Sequence, residues 1–226
     1  MMAEFLVLRL SAPLQSWGEK GRLRIRDTSS FPTKSGILGL LGCALGVPRD
    51  DPQGTMEKLG NDVKLAIRAD QPGTMLFDYQ TAQVSAYHRI GDGSVAPAPT
   101  TLVLSKYYLQ DADFTVFLAG SHDTLIRLQD ALKHPVFPLY LGRKCCIASH
   151  PILDGIYEGE LPDLLQSLPR FDKAHQLCME KADDIPVLSE FPFGKESAFP
   201  RQDVPLRGRQ FTYHDVYRGC ISYDPV

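Results

Sequence analysis

The sequence is poor in the residues that build secreted, metal-bound or membrane-embedded proteins. It has one tryptophan, and its five cysteines are odd in number, with Cys145 and Cys146 adjacent and no pair at the spacing of a zinc knuckle or a redox motif. A disulfide framework is excluded, and a chain of 226 residues needs none, since it buries about 70–75% of the surface its unfolded form exposes. A reducing cytoplasm is the expected compartment. The apolar run Phe5-Leu6-Val7-Leu8 is far too short to span a bilayer and follows an acid, Glu4, where a signal peptide carries bases. It reads as a first strand, not an address.

Catalytic signatures are equally scarce. No Gly-x-Ser-x-Gly elbow occurs, and the Walker loop fails at Lys34, because the position directly before the lysine, which demands glycine, holds Thr33. The six histidines (His88, His122, His134, His150, His175 and His214) are scattered, so no metal site and no small cofactor is expected. The formal net charge of −3 argues against a protein that coats nucleic acid indiscriminately.

Charge is unevenly placed, however. Lys20, Arg22, Arg24, Arg26 and Lys34 face a single acid, Asp27, whereas Asp154 to Glu190 holds nine acids and three bases. A molecule polarised in this way can hold a polyanion on one face and a basic partner on another.

The hydrophobic pattern lays out a fold. Glu4 to Ala12 reads as a strand and Ser35 to Gly46 as a helix after a long basic loop. Val63 to Asp70 alternates as a half-buried strand, and Phe114 to Ala119 forms another. Between them runs an insertion of about 71–113, whose ends, Leu76 to Val84 and Thr100 to Tyr108, read as two arms of a projecting hairpin. Ser121 caps a helix through Lys133 that Pro135 stops, with Leu125, Leu128 and Leu132 on one face, and Arg143 to Ser149 is the expected closing strand. The order βαββαβ predicts an α+β, ferredoxin-like domain, the arrangement of RNA-recognition (RRM-like) modules. It spans 1–150, and 151–226 reads as a mostly β C-terminal extension.

The helix at 35–46 is the sharpest functional pointer. It carries Gly36, Gly39, Gly42 and Gly46, and each interior glycine costs about 0.8–1 kcal/mol against alanine, a sacrifice that close approach of another chain offsets. Ser35 can cap its start, so that an anion can sit beside Lys34. A nucleic-acid surface would draw phosphate donors from Arg24, Arg26, Lys34, Arg143 and Lys144, exposed backbone from Gly36, Gly39 and Gly142, and stacking surfaces from Trp17, Tyr87, Tyr107 and Tyr108. Each of these aromatics can equally be core, and the turn Tyr140-Leu141-Gly142-Arg143-Lys144 can be an ordinary surface turn. A catalytic alternative would use His88, Lys106 and Tyr107 or Tyr108 for metal-independent RNA cleavage through the 2′-hydroxyl.

Leu8 to Gly18, Phe31 to Asp51 with its Val47-Pro48-Arg49-Asp50-Asp51 end, Tyr87-His88 and Tyr140 to Lys144 resemble the fifth CRISPR-associated family of the RAMP superfamily, the CasD subunits of the type I-E surveillance complex Cascade. The resemblance covers most of residues 4–151, with weaker echoes at Arg201 and at Arg209-Gln210-Phe211. It implies a non-catalytic cap on the 5′ handle of the mature crRNA, placed beside the backbone subunit CasC and the large subunit CasA and reaching target DNA through the assembled complex. It also implies that the hairpin insertion is the family's thumb, with Tyr87, His88 and Arg89 touching RNA or protein. The acidic segment after Asp154 departs from the family pattern. In the related type I-C branch the equivalent subunit cuts precursor RNA, for which His88, Lys106 and Tyr108 are the candidates here. The adjacent Lys-His pair of that branch is missing, since Tyr107 follows Lys106.

Overall fold

A computed structural model describes residues 3–19, 25–84, 100–193, 197–206 and 211–225. Chain order in the first half is β1 (Glu4–Gln15), β2 (Ile25–Arg26), α1 (Lys34–Leu45), α2 (Thr55–Asp62), β3 (Lys64–Gln71), β4 (Thr74–Val84), β5 (Thr100–Ala119) and α3 (His122–Lys133). There follow β6 (Leu153–Glu158), α4 (Leu161–Ser167), β7 (Arg170–Phe171), β8 (Leu177–Cys178), β9 (Ala182–Ser189), β10 (Ala198–Pro205) and β11 (Phe211–Tyr223). The result is a mixed α and β structure, mostly antiparallel sheet.

One large sheet organises these elements in the order β10-β11-β9-β3-β5-β1-β6, with β2 and β4 also paired to β5. The 20-residue β5 does two jobs. Its second half lies between β1 and β3, Phe5 facing Ala119 and Ala66 facing Phe117, while its first half pairs with β4 from Thr74 opposite Gln110 to Val84 opposite Thr100. The two arms of the insertion therefore form the hairpin that the sequence predicts, and the tip between them lies outside the described residues.

Alternation along β5 fills two cores. Phe114, Val116 and Leu118 join Leu6, Leu8, Leu10 and the apolar side chains of α1 and α3, while Phe117 joins Phe5, Val7 and the leucines of α4 on the other face. In α3 the Ser121 hydroxyl accepts from the Thr124 amide, a cap worth about 1 kcal/mol. Leu125, Leu128 and Leu132 point inward, as the three-and-seven spacing requires.

The structure corrects two expectations. The segment Arg143 to Ser149 is loop, and the strand that pairs with β1 on its free side is β6, Glu4 opposite Glu158. Strand β3 is buried on both faces rather than half-buried, because α4 and the segment after it cover the side that carries Arg68 and Asp70. The residues after 150 also enter the main sheet, Ala66 of β3 facing Ser189 of β9.

That covering is held by two buried arginines. Arg68, with 0% exposure, donates to the Leu165, Leu168 and Pro169 carbonyls at 2.5, 3.0 and 2.7 Å and pairs with Asp70 at 2.6 Å. Arg9 donates to the same Pro169 carbonyl at 2.6 Å and pairs with Asp154 at 2.8 Å. Cations at the carboxyl end of α4 satisfy carbonyls that a helix leaves unpaired.

Candidate nucleic-acid interface

Four of the predicted RNA-binding residues, from three segments of the sequence, meet in one cleft of ≈ 390 Å³: Arg26, Ser35, Gly142 and Arg143. Strands β10 and β11 complete it with Gln202, Asp203 and Phe211. Sequence patterning did not single these out as site residues. The only signal was the weak family echo at Arg209-Gln210-Phe211.

The wall at 140–146 is built by backbone closeness. The Ser16 amide donates to the Leu141 carbonyl at 3.1 Å, and the Leu141 amide to the Cys146 carbonyl at 2.7 Å. Gly142 has φ +94°, and a Cβ there would be driven into the Ser16 carbonyl oxygen. The glycine's first role is thus to let this turn seat on the end of β1. Arg143 is half-buried and acts as a clasp. Its guanidinium lies 4.4 Å from the Tyr108 ring centre and donates to the Tyr107 carbonyl at 3.0 Å and the Arg26 carbonyl at 2.8 Å. Lys144 and Arg26 remain exposed.

The glycines of α1 separate into distinct roles. A Cβ on Gly36 would meet the Trp17 ring at 2.8 Å, and one on Gly42 the Met56 sulfur at 2.7 Å, so both serve internal packing. Gly46, at φ +74°, ends the helix in the left-handed conformation, its amide donating to the Cys43 carbonyl. Only above Gly39 is there open space. Gly39→Ala is accordingly expected to raise stability by about 0.8–1 kcal/mol, readable in a denaturant titration; a loss would mean that a contact over this helix has gone unseen.

Two predicted ligand contacts are instead internal. Trp17 is 1% exposed and donates from Nε1 to the Gln15 side chain at 3.0 Å, so no base can stack on it. Lys34 is 4% exposed, with Nζ 2.8 Å from Glu190. The anion expected at the start of α1 is present but belongs to the protein: the Asp203 carboxylate accepts from the Lys34 amide at 2.8 Å. The side-chain cap is Thr33, which accepts from the Gly36 amide, rather than Ser35. Arg24, Tyr87, His88 and Arg89 lie outside the described residues.

Around Lys34 an alternating charge network joins β10, β11 and the end of β9 to α1. His214 bridges Glu190 at 2.6 Å and Asp203 at 2.5 Å, and Arg201 pairs with Asp203 at 3.1 Å. Burial opposes charge on His214, but the two carboxylates outweigh it and push the imidazole up to about 9. Burial likewise opposes charge on Glu190 and Asp203, yet their cationic partners hold both below the usual carboxylate range. The stability that His214 supplies is therefore complete below its ordinary value of 6.5 and lost as pH rises through about 9. Melting temperature is expected to fall between pH 6.5 and 9.5, and His214→Gln to flatten that window; parallel profiles would remove His214 from the network.

Of the catalytic candidates, His88 lies outside the described residues, and Lys106, Tyr107 and Tyr108 each have a contact of their own. Lys106 donates to Gln80 at 2.5 Å on the hairpin. Burial raises the Tyr108 phenol above its ordinary value, and its oxygen lies 3.7 Å from the Cys145 sulfur beneath the Arg143 clasp. Tyr107 packs on Phe77 with ring centres 5.1 Å apart. No cluster of metal-ligating side chains occurs among the described residues, and no helix there is long and apolar enough to cross a membrane.

Comparison with known proteins agrees with this architecture. The family described as CRISPR-associated protein (Cas_Cas5) matches residues 5–219. The chain is 34% identical over 171 residues to the CRISPR system Cascade subunit CasD of Escherichia coli (strain K12), covering 71% of this chain and 75% of that one. Among solved structures, a chain of a CRISPR RNA-guided surveillance complex superposes with a TM-score of 0.74 at 27% identity, covering 97% of this chain and 90% of that one. A second, solved as a crystal structure of a Cas protein, gives 0.72 at 30% identity over 98% and 97%. With nearly its whole length matched, the chain belongs to the Cas5 family of CRISPR-associated proteins and is similar in sequence to the CasD subunit of Cascade.

Proposed function

We propose that this chain is a non-catalytic subunit of a type I-E Cascade that binds the 5′ handle of the mature crRNA. The observation that carries the reading is the cleft: Arg26, Ser35 and the adjacent pair Gly142 and Arg143 come from three separate segments yet line one cavity. Likeness to a Cascade subunit and to a chain of an RNA-guided surveillance complex supports RNA and an assembly as partners; CasC and CasA are the neighbours this reading expects, with target DNA reached only through the complex. The order β6-β1-β5-β3, antiparallel throughout, supports reading the core as ferredoxin-like, with the β4–β5 hairpin as the thumb and the residues after 150 as an extension. The cytoplasm is the compartment this role requires.

Phosphate contacts fall on the exposed cations. Arg26 and Lys144 are exposed, whereas Lys34 and Arg143 spend their donors inside the protein. The variant Arg26→Glu/Lys144→Glu is expected to keep its melting temperature and to bind handle RNA more weakly, with the slope of log affinity against log salt reduced by about 0.7 for each phosphate contact removed. An unchanged affinity and slope would refute this surface.

A further inference from the structure

The adjacent cysteines Cys145 and Cys146 are a feature that RNA binding does not use. They occupy the last two positions of the turn Arg143 to Cys146, which the Cys146 amide closes by donating to the Arg143 carbonyl at 2.8 Å. Cys145 is exposed, whereas Cys146 is 1% exposed and belongs to the main hydrophobic core. The two thiols nevertheless lie within hydrogen-bonding reach of each other, and the Cys146 sulfur also reaches the Arg143 backbone. The Cys145 sulfur stands 3.7 Å from the hydroxyl of Tyr108, the ring on which the Arg143 guanidinium rests. Both are free thiols, and they lack the Cys-x-x-Cys spacing of dithiol oxidoreductases. Adjacency has a different consequence. Neighbouring Cα atoms are about 3.8 Å apart across a trans peptide, short of the roughly 4.4–6.8 Å usual for a disulfide, so a bond between these sulfurs is strained and easily reduced. Strained, accessible disulfides are the labile and regulatory ones.

We infer that Cys145 and Cys146 form a redox-sensitive modification site, in which hydrogen peroxide joins the pair into a disulfide that loosens the turn beside the cleft. The Cys145 thiolate attacks one peroxide oxygen and the O–O bond breaks. Cys145 becomes a sulfenic acid, and the departing hydroxide takes up the proton that the thiol released, giving water. The Cys146 sulfur then attacks the Cys145 sulfur, and its proton leaves with the sulfenic hydroxyl as a second water. Two thiols and one peroxide thus give one disulfide and two waters. Cys145 meets the oxidant first, because it is exposed while burial pushes the Cys146 thiol up to about 11. Closing so small a ring draws the Cys146 sulfur out of the core and the Cys145 sulfur away from Tyr108. The turn that holds Arg143 over Tyr108 and against the Tyr107 and Arg26 carbonyls then shifts, and with it the side of the cleft that Gly142 and Arg143 supply. A reducing compartment keeps the pair as thiols and restores it once the oxidant is gone. Formation of the disulfide needs no RNA, but its effect on handle affinity rests on the RNA-binding reading above.

The test treats the full chain with a small excess of hydrogen peroxide and follows peptide masses, melting temperature and binding of a labelled crRNA with its 5′ handle, before and after dithiothreitol. In wild type the peptide carrying Cys145 and Cys146 is expected to lose two hydrogens and gain no oxygen. The oxidised protein should melt at a lower temperature and bind the handle at least about fivefold more weakly, what one ordinary hydrogen bond is worth. Dithiothreitol should restore mass, melting temperature and affinity together. Cys145→Ser and Cys146→Ala, each compared with its own untreated state, should pass through the same treatment with melting temperature and affinity unchanged. The exposed Cys145 position keeps the test informative if the buried Cys146→Ala variant folds poorly. Oxygen added to Cys145 while Cys146 stays a thiol, or oxidation confined to the other cysteines, would refute the disulfide. A disulfide that forms without moving the melting temperature would refute the loosening of the turn, and one that lowers it while handle affinity holds would refute the link to the cleft. If untreated wild type binds no handle, the RNA reading falls, and the mass and melting temperature still decide the cysteine pair.

Discussion

Lys34→Glu is expected to destabilise the protein by about 3–5 kcal/mol or more, the cost of breaking a buried ion pair. The Lys34 and Glu190 side chains are 4% and 6% exposed, so neither charge has water to fall back on. A glutamate at 34 would add a third carboxylate beside Glu190 and Asp203 and leave His214 and Arg201 to neutralise all three. At about 2–4 °C for each kcal/mol in a domain of this size, the melting temperature should drop by roughly 6–20 °C. Lys34→Met leaves the carboxylates facing His214 and Arg201 only and should fall less. From sequence, Lys34 is a phosphate donor whose charge reversal weakens RNA binding in a folded protein. An unshifted melting temperature with salt-sensitive loss of RNA binding would restore that role.

Gly142→Ala is expected to be the second large loss. The new methyl group must displace the Ser16 carbonyl, and alanine must hold φ near +94°, a conformation that glycine alone adopts freely. Overpacking and backbone strain together cost about 2–5 kcal/mol. The movement would open the cleft, because Ser16 and Gly142 share its wall. Both the melting temperature and handle affinity should therefore fall together, in contrast to Gly39→Ala, which changes the same residue type without steric conflict. If Gly142→Ala melts like wild type, the turn does not press on β1 as described.

Much of the fold is legible in the residues because it rests on local patterns. The Ser121 cap with Leu125, Leu128 and Leu132 marks α3, and the aromatic and β-branched arms mark the β4–β5 hairpin, since neither depends on distant partners. Strand β3 misleads for the opposite reason. Arg68 and Asp70 look solvent-facing by alternation, but each finds its partners about a hundred residues later, at Leu168, Pro169 and Phe171. Periodicity carries no information about such pairs. The same holds at the site. Glycine, arginine and lysine in the turn at 140–144 announce a special backbone, whereas the fate of Lys34 is decided by Glu190 and Asp203, which only the folded sheet brings to it. Short elements such as α2 and α4 escape because eight and seven residues are too few to establish a helical period.

RNA capping is tested most directly by incubating the purified chain, without metal, with a mature crRNA whose 5′ handle is intact or scrambled, and with a repeat-containing precursor, following binding and RNA length together. Binding that depends on the intact handle, with all RNA recovered at full length, is the expected result. Equal affinity for the scrambled handle, or a specific cut within the repeat, would contradict it; the latter would make this chain a processing nuclease built on His88, Lys106 and Tyr108.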